Sequence, residues 1–239
     1  MMKKTGQRGL RILVVDVGGT HVKLLATGLK RPITILSGPT MTAKAMIPKV
    51  RAVLKDCPYD VVSLGYPGPV VHGRPMREPY NLGRGWVGFD FRKAFGRPVK
   101  IINDAAMQAL GSYKGGRLLF LGLGTGLGSA MIVDGVLEPM ELAHLPYKRG
   151  KTYEDYLGLR GLKRLGRKKW QRQVGRVVKE LRQVLEAEEV VLGGGNAKKL
   201  KKLPPRTILG GNRNAFLGGF RMWSKAPEAF RQNRNAKRT

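Results

Sequence analysis

The stretch that decides the fold reads RILVVDVGGTHVKLLAT and runs from Arg11 to Thr27. An apolar run ends around Asp16, a turn passes through Gly18 and Gly19, and a second apolar run follows, which predicts two strands joined by a glycine turn. Two glycines let backbone N–H groups approach a bulky anion, and Thr20 adds a hydroxyl donor. We therefore predict a phosphate-binding hairpin in which Asp16 holds Mg²⁺, if need be through water. An ordinary tight hairpin is the alternative.

A second glycine-rich turn lies at Leu121–Gly128. Residues 12–27 and 118–133 therefore share the order strand, glycine turn, strand, which fits two duplicated lobes that grip one ligand. Bare backbone can surround phosphate oxygens there, and a threonine hydroxyl can donate a hydrogen bond. The segment lacks the Gly-Lys-Ser/Thr ending of a Walker loop. The residues that we expect to contact phosphate are Gly124, Thr125 and Gly126.

A third glycine cluster, Gly193–Asn196, follows the predicted strand 189–192. Its bare backbone would let an adenine ring lie flat against it. The candidate contacts are Gly194, Gly195 and Asn196. A plain strand-to-helix turn is the alternative interpretation.

Asn103 and Asp104 stand where the predicted strand 98–102 opens into a helix. A carboxylate at that place can point into a cleft and accept a hydroxyl proton during phosphoryl transfer, while the neighbouring amide holds adjacent hydroxyls. We predict that Asp104 is a general base. Capping of the helix is the alternative role for either residue.

Three further polar side chains are candidates for a site that binds a polyol. Glu141 and His144 have i, i+3 spacing, which can bring them to one face of a turn. Glu154 opens a later helical segment, where a helix N-terminal charge is the alternative role. Structural zinc is not expected, because His21 and His72 are the only other histidines and Cys57 has no cysteine partner.

The composition sets limits on the class of protein. The chain has 239 residues, 42% of them hydrophobic, which is enough for one large domain or two small lobes. No run of 18 apolar residues occurs, so we expect neither a membrane span nor a membrane partner, and the first residues do not resemble a secretory signal. Cys57 is the single cysteine, which excludes an internal disulfide and favours a reducing cytoplasm.

The charge is strongly positive. Lys and Arg number 45 against 16 acids, for a net charge of +29. Such a field attracts polyanions, although a solubilising surface is the alternative explanation. The richest segment, 148–182, holds thirteen Lys and Arg residues against three acids. Aromatic residues are sparse there, so we expect nucleic acid to bind non-specifically if it binds at all.

Hydrophobic periodicity predicts an alternation of strands and helices. Apolar Met46, Val50, Val53 and Leu54 place one helix at about 41–54, and a Pro-, Gly- and Arg-rich segment at 66–92 is expected to be irregular, with Trp86 and Phe89 as anchors. A hairpin turn is expected at Asp134-Gly135. The other strands are predicted at 11–17, 21–27, 32–36, 60–65, 117–122, 128–134 and 207–209, and the other helices at 104–113, 167–187 and 214–223.

Mixed hairpins and β–α units predict an α/β fold of two lobes, with mixed sheets and a cleft between the lobes. We expect a basic arm at 1–10, a small N-terminal lobe at 11–110 and a large C-terminal lobe at 111–213. Residues 214–225 are expected to pack back on the small lobe. A disordered basic tail is expected at 226–239.

Together, and in this order, the motifs resemble the ROK family of sugar kinases in the actin-like ATPase (ribonuclease H-like) superfamily, closest to its compact polyphosphate/ATP glucokinase-like branch. The resemblance covers about residues 11–223. Gly65-Tyr66-Pro67-Gly68-Pro69 is similar to the family's sugar-side loop, and Asn81 stands in a segment similar to its Pro-Asn-Leu loop. The resemblance thus implies that the residues contacting sugar are Gly65, Pro67, Asn81, Asn103, Glu141, His144 and Glu154.

The resemblance implies a kinase that transfers the terminal phosphoryl group of ATP or polyphosphate to the 6-hydroxyl of glucose or a related hexose, with Mg²⁺. It places the sugar and phosphate on the side of 11–110 and the nucleotide on the side of 111–213, and members of the family are often homodimers. Ala143 departs from the family's Glu-x-Gly-His pattern, and the zinc-binding cysteines of many members are missing. A non-catalytic protein that binds nucleic acid or another polyanion on the same fold is the alternative, and an acylated amino sugar is a second candidate acceptor.

Overall fold

The computed structural model describes residues 9–211 and 213–224. The predicted tail, and the predicted arm apart from residues 9 and 10, lie outside the described residues. The strands are β1 (Ile12–Val17), β2 (His21–Ala26), β3 (Ile33–Leu36), β4 (Val61–Tyr66), β5 (Val70–Val71), β6 (Arg74–Pro75), β7 (Val99–Asn103), β8 (Arg117–Leu123), β9 (Leu127–Val133), β10 (Val136–Met140), β11 (Pro146–Lys148), β12 (Lys151–Thr152), β13 (Glu189–Gly193) and β14 (Thr207–Leu209). The helices are α1 (Ala43–Val53), α2 (Phe91–Phe95), α3 (Asp104–Ser112), α4 (Tyr153–Leu157), α5 (Leu159–Val184) and α6 (Arg213–Arg221).

The two large sheets have the same topology. The first has the order β3-β2-β1-β4-β7, and the second has the order β10-β9-β8-β13-β14. In each, an antiparallel glycine hairpin is followed by two strands parallel to the hairpin's first strand. This repeat confirms the predicted α/β class with mixed sheets, and the echo between 12–27 and 118–133.

The parallel register of the first sheet collects the predicted site residues at one edge. Asp16 pairs with Gly65 across β1 and β4, and Tyr66 pairs with Asn103 across β4 and β7. On the other side of β1, Asp16 faces Lys23 of β2. Since the carboxyl ends of parallel strands meet at the same edge, Asp16 and the start of α3 lie close together.

Three apolar clusters hold the molecule together. One packs α1 and the aromatic residues of the 86–95 segment on the first sheet, and a second packs α4 and α5 on the second sheet. The third is built around α3 and α6, and α3 contacts strands of both sheets. The start of α3, which carries Asp104, is therefore supported from two sides.

Helices α3 and α6 cross at unusually short range. A Cβ added to Gly218 would overlap the carbonyl oxygen of Met107, and one added to Gly111 would overlap the carbonyl oxygen of Asn214. Gly219 lies against Val14 of β1, so α6 contacts the first sheet as well. The described part of 214–225 therefore touches both α3 and the first sheet.

Helix α1 confirms the predicted helix and corrects one residue of its apolar face. Thr42 caps it, since its hydroxyl accepts a hydrogen bond from the N–H of Ala45 at 3.0 Å. Met46 and Val50 are fully buried, whereas Val53 is 41% exposed. The helix ends at Val53, and the non-helical Leu54 covers the core in its place.

Short elements account for what the periodicity did not predict. Helix α2 and the hairpins β5–β6 and β11–β12 have two to five residues per element, too few to show a period. The segment 66–92 is ordered around the fully buried Trp86, as predicted, and Phe89 packs edge-on against Phe91. Asp134 and Gly135 both have positive φ, which confirms the predicted tight turn between β9 and β10.

Candidate active site

The first glycine turn is closed by its own backbone. The N–H of Gly18 donates to the carbonyl of His21 at 3.0 Å, and the Ser37 hydroxyl donates to the carbonyl of Gly18 at 2.7 Å. A Cβ on Gly18 would stand 2.8 Å from the His21 carbonyl oxygen, so the turn has no room for a side chain. The hydrogen bonds of Gly18 thus hold the turn in place, while Thr20 is exposed and Gly19 is partly buried.

The sugar-side segment touches this turn. A Cβ on Gly19 would stand 2.8 Å from the Cβ of Asn81, so the exposed Asn81 lies directly against the hairpin. The loop that carries Asn81 is fixed by Glu78, whose carboxylate accepts hydrogen bonds from the N–H groups of Trp86 and Val87 at 3.0 and 3.3 Å. The structure therefore brings together the predicted sugar residue Asn81 and the predicted phosphate turn.

Asp104 is the first residue of α3, and its carboxylate lies beside the first N–H groups of that helix. Oδ1 accepts a hydrogen bond from the N–H of Ala105 at 2.8 Å, and, apart from Asp104 itself, no other described residue donates to the carboxylate. Burial, assisted by the negative charges of Asp16 and Glu141, raises the pKa of Asp104 to about 7. A carboxylate with a pKa near neutrality can both accept and release a proton at physiological pH.

Asp16 shares this environment. Burial raises the pKa of Asp16, and the positive charge of Lys23 opposes the shift. The negative charge of Asp16 contributes to the raised pKa of Asp104, so the two carboxylates lie close enough to repel each other. A cation between them would relieve this repulsion.

Asn103 serves as the N-cap of α3, the alternative role that its position allowed. Its Oδ1 accepts hydrogen bonds from the N–H groups of Ala105 and Ala106 at 2.9 and 3.1 Å. Its Nδ2 donates to the carbonyl of Gly68 at 3.0 Å, which ties α3 to the sugar-side loop. An amide nitrogen has two donors, so one N–H is left for a ligand beside Asp104.

Close packing also fixes the sugar-side loop against α3. A Cβ on Gly65 would stand 3.6 Å from the Cα of Asp104 and would overlap the side chain of Met107. The hydroxyl of the buried Tyr66 donates to the carbonyl of Arg77 at 2.7 Å. Gly65 therefore lies beside the candidate base, and the partly buried Pro67 directly follows β4.

The second glycine turn is braced from α4 and α5. The N–H of Gly124 donates to the carbonyl of Gly126 at 3.1 Å, and the N–H of Leu159, at the start of α5, donates to the carbonyl of Thr125 at 3.2 Å. Thr125 itself is exposed. A Cβ on Gly128 would stand 2.9 Å from the Cβ of Ala105, so the second glycine hairpin lies against the start of α3.

Glu154 supports this turn directly. Its Oε2 accepts a hydrogen bond from the N–H of Leu127 at 3.2 Å, and its Oε1 accepts one from Arg160 at 3.1 Å. A Cβ on Gly126 would overlap Oε2, so the glycine is required for the carboxylate to reach the turn. The assignment of Glu154 as a sugar ligand stays a prediction, because both of its carboxylate oxygens already accept hydrogen bonds beside the turn that is predicted to bind the phosphoryl donor.

These contacts predict the effect of replacing Glu154. Glu154→Ala is expected to raise KM for the phosphoryl donor about tenfold or more, because each hydrogen bond to a charged group contributes about 1.5–3 kcal/mol. KM for the sugar is expected to change much less. Initial rates with each substrate varied in turn measure both constants. A larger rise in KM for the sugar would instead support Glu154 as a sugar ligand.

The third glycine segment is joined to the second. Asn196 Nδ2 donates to the carbonyl of Gly124 at 2.8 Å, and Lys199 Nζ donates to Asn196 Oδ1 at 2.9 Å. Gly194 has a φ of +80°, which favours glycine, and Gly195 is exposed with open space around it. Asn196 is buried and braces the two turns, while Gly195 stays open to a ligand.

Glu141 and His144 flank one 3-10 turn, and both are exposed. Ser129 holds the turn, since its hydroxyl accepts from the N–H of Leu142 at 3.1 Å and donates to the carbonyl of Met140 at 2.8 Å. Ala143 is buried and is not among the residues with positive φ, so alanine fits where the family pattern has glycine. Partial desolvation of its carboxylate raises the pKa of Glu141, and the positive charges of His144 and Arg77 oppose the shift.

The structure therefore groups most of the predicted residues around the start of α3. Electrostatic influence links Asp16 to Asp104, Asp104 to Glu141 and Glu141 to Glu154. The third glycine segment joins this group only through the second turn. Residues that sequence reasoning missed are Lys23, Ser37, Arg77, Glu78, Ser129 and Arg160. Lys23 could have been found from the sequence, because side chains alternate between the two faces of β2. The other residues contact distant parts of the chain, so no local sequence pattern indicates them.

Magnesium binding at Asp16 stays a prediction. Among residues 9–211 and 213–224, no group of three or more His, Cys, Asp and Glu side chains could hold a metal ion. Mg²⁺ keeps several waters and is usually held by one or two carboxylates together with substrate phosphates. Within the same residues, no helix is long and apolar enough to cross a membrane.

Comparison with known proteins gives a consistent set of relatives. No protein-family model matches the chain. The polyphosphate glucokinase of Mycobacterium tuberculosis is 30% identical over 217 residues, which cover 80% of each protein. The inorganic polyphosphate/ATP-glucomannokinase from Arthrobacter sp. strain KM superposes with a TM-score of 0.75 at 24% identity, over 87% of this chain and 96% of that one. A ROK family glucokinase from Streptomyces griseus, solved with glucose and AMPPNP, superposes with a TM-score of 0.71 at 16% identity, over 87% and 97%.

Proposed function

The chain belongs to the ROK family of sugar kinases, as a relative of the polyphosphate glucokinases, and from this premise we propose how its residues transfer a phosphoryl group. It is a glucokinase-type phosphotransferase with an alcohol acceptor. The acceptor that we propose is the 6-hydroxyl of glucose or a related hexose, and the donor is the terminal phosphoryl of polyphosphate or ATP. The nucleic-acid-binding alternative gains no support from the relatives.

The observation that carries the mechanism is the state of Asp104. Apart from Asp104 itself, no described residue other than Ala105 donates to its carboxylate, and its pKa is raised to about 7. A carboxylate in this state accepts the proton of the attacking hydroxyl as its oxygen bonds to the terminal phosphorus. The bond from that phosphorus to the bridging oxygen breaks, and the shortened polyphosphate or ADP leaves with the electron pair. Positioned bases of this kind contribute about 10²–10⁴-fold to rates.

The acceptor is held by groups around the start of α3. The remaining N–H of Asn103 donates to a hydroxyl next to the one that reacts. Glu141 accepts hydrogen bonds from sugar hydroxyls, and His144 and Asn81 supply donors or acceptors on the opposite sides. Gly65 and Pro67 allow the ring to approach β4 closely. This assembly orients one hydroxyl toward the Asp104 carboxylate.

The donor is held by the two glycine turns. The phosphate donors that we propose are the backbone N–H groups of Gly19 and Gly126 and the hydroxyls of Thr20 and Thr125. Gly18 and Gly124, whose N–H groups close the two turns, would contact the phosphate only as backbone without a side chain. With ATP as donor, Gly194, Gly195 and Asn196 would border the adenosine. Donors fixed in a rigid backbone stabilise charge that develops on the transferred group, because they need no reorganisation.

Asp16 would hold Mg²⁺, through water or directly. When bound, the ion supplies electrostatic stabilisation of the phosphate oxygens. It would also relieve the repulsion from Asp16, while burial, the larger cause, would still raise the pKa of Asp104. We place the reaction in the cytoplasm, where a chain with the single Cys57 needs no oxidative maturation.

A screen of donors against acceptors tests this function. Glucose, mannose and an N-acetylated amino sugar are each incubated with ATP, tripolyphosphate or long-chain polyphosphate and Mg²⁺, and the sugar phosphate is identified by nuclear magnetic resonance. We expect glucose 6-phosphate from at least one donor. Tight, salt-sensitive binding of RNA, combined with no transfer to any of the sugars, would establish the polyanion-binding alternative.

A further inference from the structure

Helix α5 carries an unusual concentration of positive charge. It has ten Lys and Arg residues and one acid, Glu180, which accepts a hydrogen bond from the hydroxyl of Tyr153. Arg172, Lys179 and Arg182 are spaced by seven and three residues, which puts them toward one side of the helix. That side borders a groove.

The groove lies between α5 and the segment 200–205, and it has a volume of about 370 Å³. Val174, Val178, Leu200 and Leu203 contribute apolar surface, and Arg172, Lys179, Arg182 and Lys202 supply the charges. None of the residues that line the groove is acidic. Within the part of the chain that the structure describes, these four cations form no ion pair with a carboxylate.

A path of direct contacts connects this groove to the proposed donor site. Asn196 donates to Gly124 of the second glycine turn, and Lys199 donates to Asn196. Arg167 in turn donates from Nε to the carbonyl of Lys199 at 2.6 Å. The N–H of Lys201 donates to Gln171 Oε1 of α5 at 2.8 Å, and Gln171 lines the groove.

The cations along this path form one surface, which we name the basic strip. Its members are Arg167, Arg172, Lys179, Arg182, Lys199 and Lys202. From Arg167 to Arg182 the helix rises about 22 Å, at about 1.5 Å per residue. The basic strip thus extends along α5 from Arg167, which is joined through Lys199 and Asn196 to the second glycine turn, to Arg182.

We propose that the basic strip binds the distal phosphates of a linear inorganic polyphosphate whose terminal phosphate lies in the glycine turns. The inference rests on the proposed kinase function and specifies its donor. A polyphosphate chain is longer than the cleft and carries a charge on every phosphate, so the phosphates beyond the reacting end require a surface of this shape and sign. ATP ends at its adenosine, which we place at Gly194, Gly195 and Asn196, so it has no further phosphates for the strip to bind.

The side chains of the strip favour polyphosphate over single-stranded nucleic acid. Nucleic-acid platforms combine cations with exposed aromatic rings on which bases stack. No aromatic residue lines the groove, and Trp170, the aromatic residue of α5, is fully buried with its indole N–H on the carbonyl of Leu157. The strip therefore offers charge without base stacking.

A quadruple variant tests the strip. Arg172, Lys179, Arg182 and Lys202 are changed together to Gln, and the matched control changes Lys49, Lys55, Arg92 and Lys93, which are exposed cations on and beside α1 and α2. The readout is the ratio of kcat/KM with long-chain polyphosphate to kcat/KM with tripolyphosphate. We expect the strip variant to lower this ratio at least tenfold and the control to leave it unchanged.

Salt dependence and direct binding separate the outcomes. Each lost contact should flatten the plot of log affinity for long-chain polyphosphate against log salt by about 0.7, the value for single-stranded polyanions, so four should flatten it by about 3. An unchanged ratio, or activity with ATP alone, would refute the proposal that the basic strip binds polyphosphate, and it would leave the proposed kinase function unaffected. Tighter binding of single-stranded RNA than of polyphosphate would assign the strip to nucleic acid. Failure of all donors in the wild-type protein would instead refute the proposed function.

Discussion

Asp104→Asn is expected to lower kcat by about 10²–10⁴-fold, because it removes the group that accepts the hydroxyl proton. The change is small in volume, and the amide oxygen can still accept the hydrogen bond from the N–H of Ala105. KM for the sugar and the donor should therefore stay close to the wild-type values. Steady-state kinetics with saturating glucose and either donor measure the effect. Full activity in this variant would exclude Asp104 as the base.

The same variant is expected to be more stable than the wild type above pH 7. The pKa of Asp104 is about 7 in the folded protein, above its ordinary value of 3.8, so burying the ionised form costs free energy at high pH. This cost is complete above pH 7, decreases as the pH falls, and vanishes below about pH 4, where both states are protonated. Each pKa unit corresponds to about 1.4 kcal/mol, so Asp104→Asn should add up to about 4 kcal/mol at pH 8. Urea unfolding at pH 8 and pH 4 measures it.

Asp60 is a control whose pKa is shifted in the opposite direction to that of Asp104. Its carboxylate accepts hydrogen bonds from Arg11 Nη2 at 2.7 Å and from Arg11 Nε at 3.1 Å, which lowers the pKa of Asp60 to about 2. This stabilisation is present above the ordinary pKa and is lost as the pH falls toward 2. Asp60→Asn should thus leave kcat unchanged and lower stability at neutral pH. Activity loss in Asp60→Asn as large as in Asp104→Asn would show that both act through folding.

Gly218→Ala is expected to cost about 3 kcal/mol or more of unfolding free energy, because the added methyl overlaps the carbonyl oxygen of Met107. The obstacle is helix backbone, so α3 and α6 must separate. Since α3 carries Asp104, activity should fall together with stability. Thermal and urea unfolding, with activity measured below the transition, test this prediction.

Gly175→Ala is the matched control for the helix crossing. Gly175 lies inside α5 with nothing within 4 Å of an added Cβ. Alanine there should stabilise the protein by about 0.5–1 kcal/mol, because glycine has the larger conformational entropy in the unfolded chain. If both alanine variants shift stability equally, the close crossing of α3 and α6 is not what holds these helices.

The glycine hairpins were predictable because their signal is local. Asp16, Gly18 and Gly19 stand between two apolar runs, and the repeat of this order at Leu121–Gly128 predicted the second sheet. Strand ends and helix starts follow from the same adjacent residues, so Asn103 and Asp104 could be placed at the carboxyl edge of the first sheet.

The bracing contacts were not predictable, because they join distant parts of the chain. Glu154 reaches Leu127 across 27 residues, and Asn196 reaches Gly124 across 72. A sequence shows these side chains only as polar residues beside glycine turns, which is equally the pattern of a ligand contact. The α3–α6 crossing is similar, since Gly111 and Gly218 are ordinary helix glycines until the two helices meet.

The pH dependence of kcat/KM for glucose tests the central role of Asp104 most directly. This parameter reports the pKa of the free enzyme's essential base, so activity should rise through an apparent pKa near 7 and level off above it. The residual activity of Asp104→Asn should lack this step. A wild-type profile that is flat from pH 5 to pH 9, or an identical step in Asp104→Asn, would contradict the account.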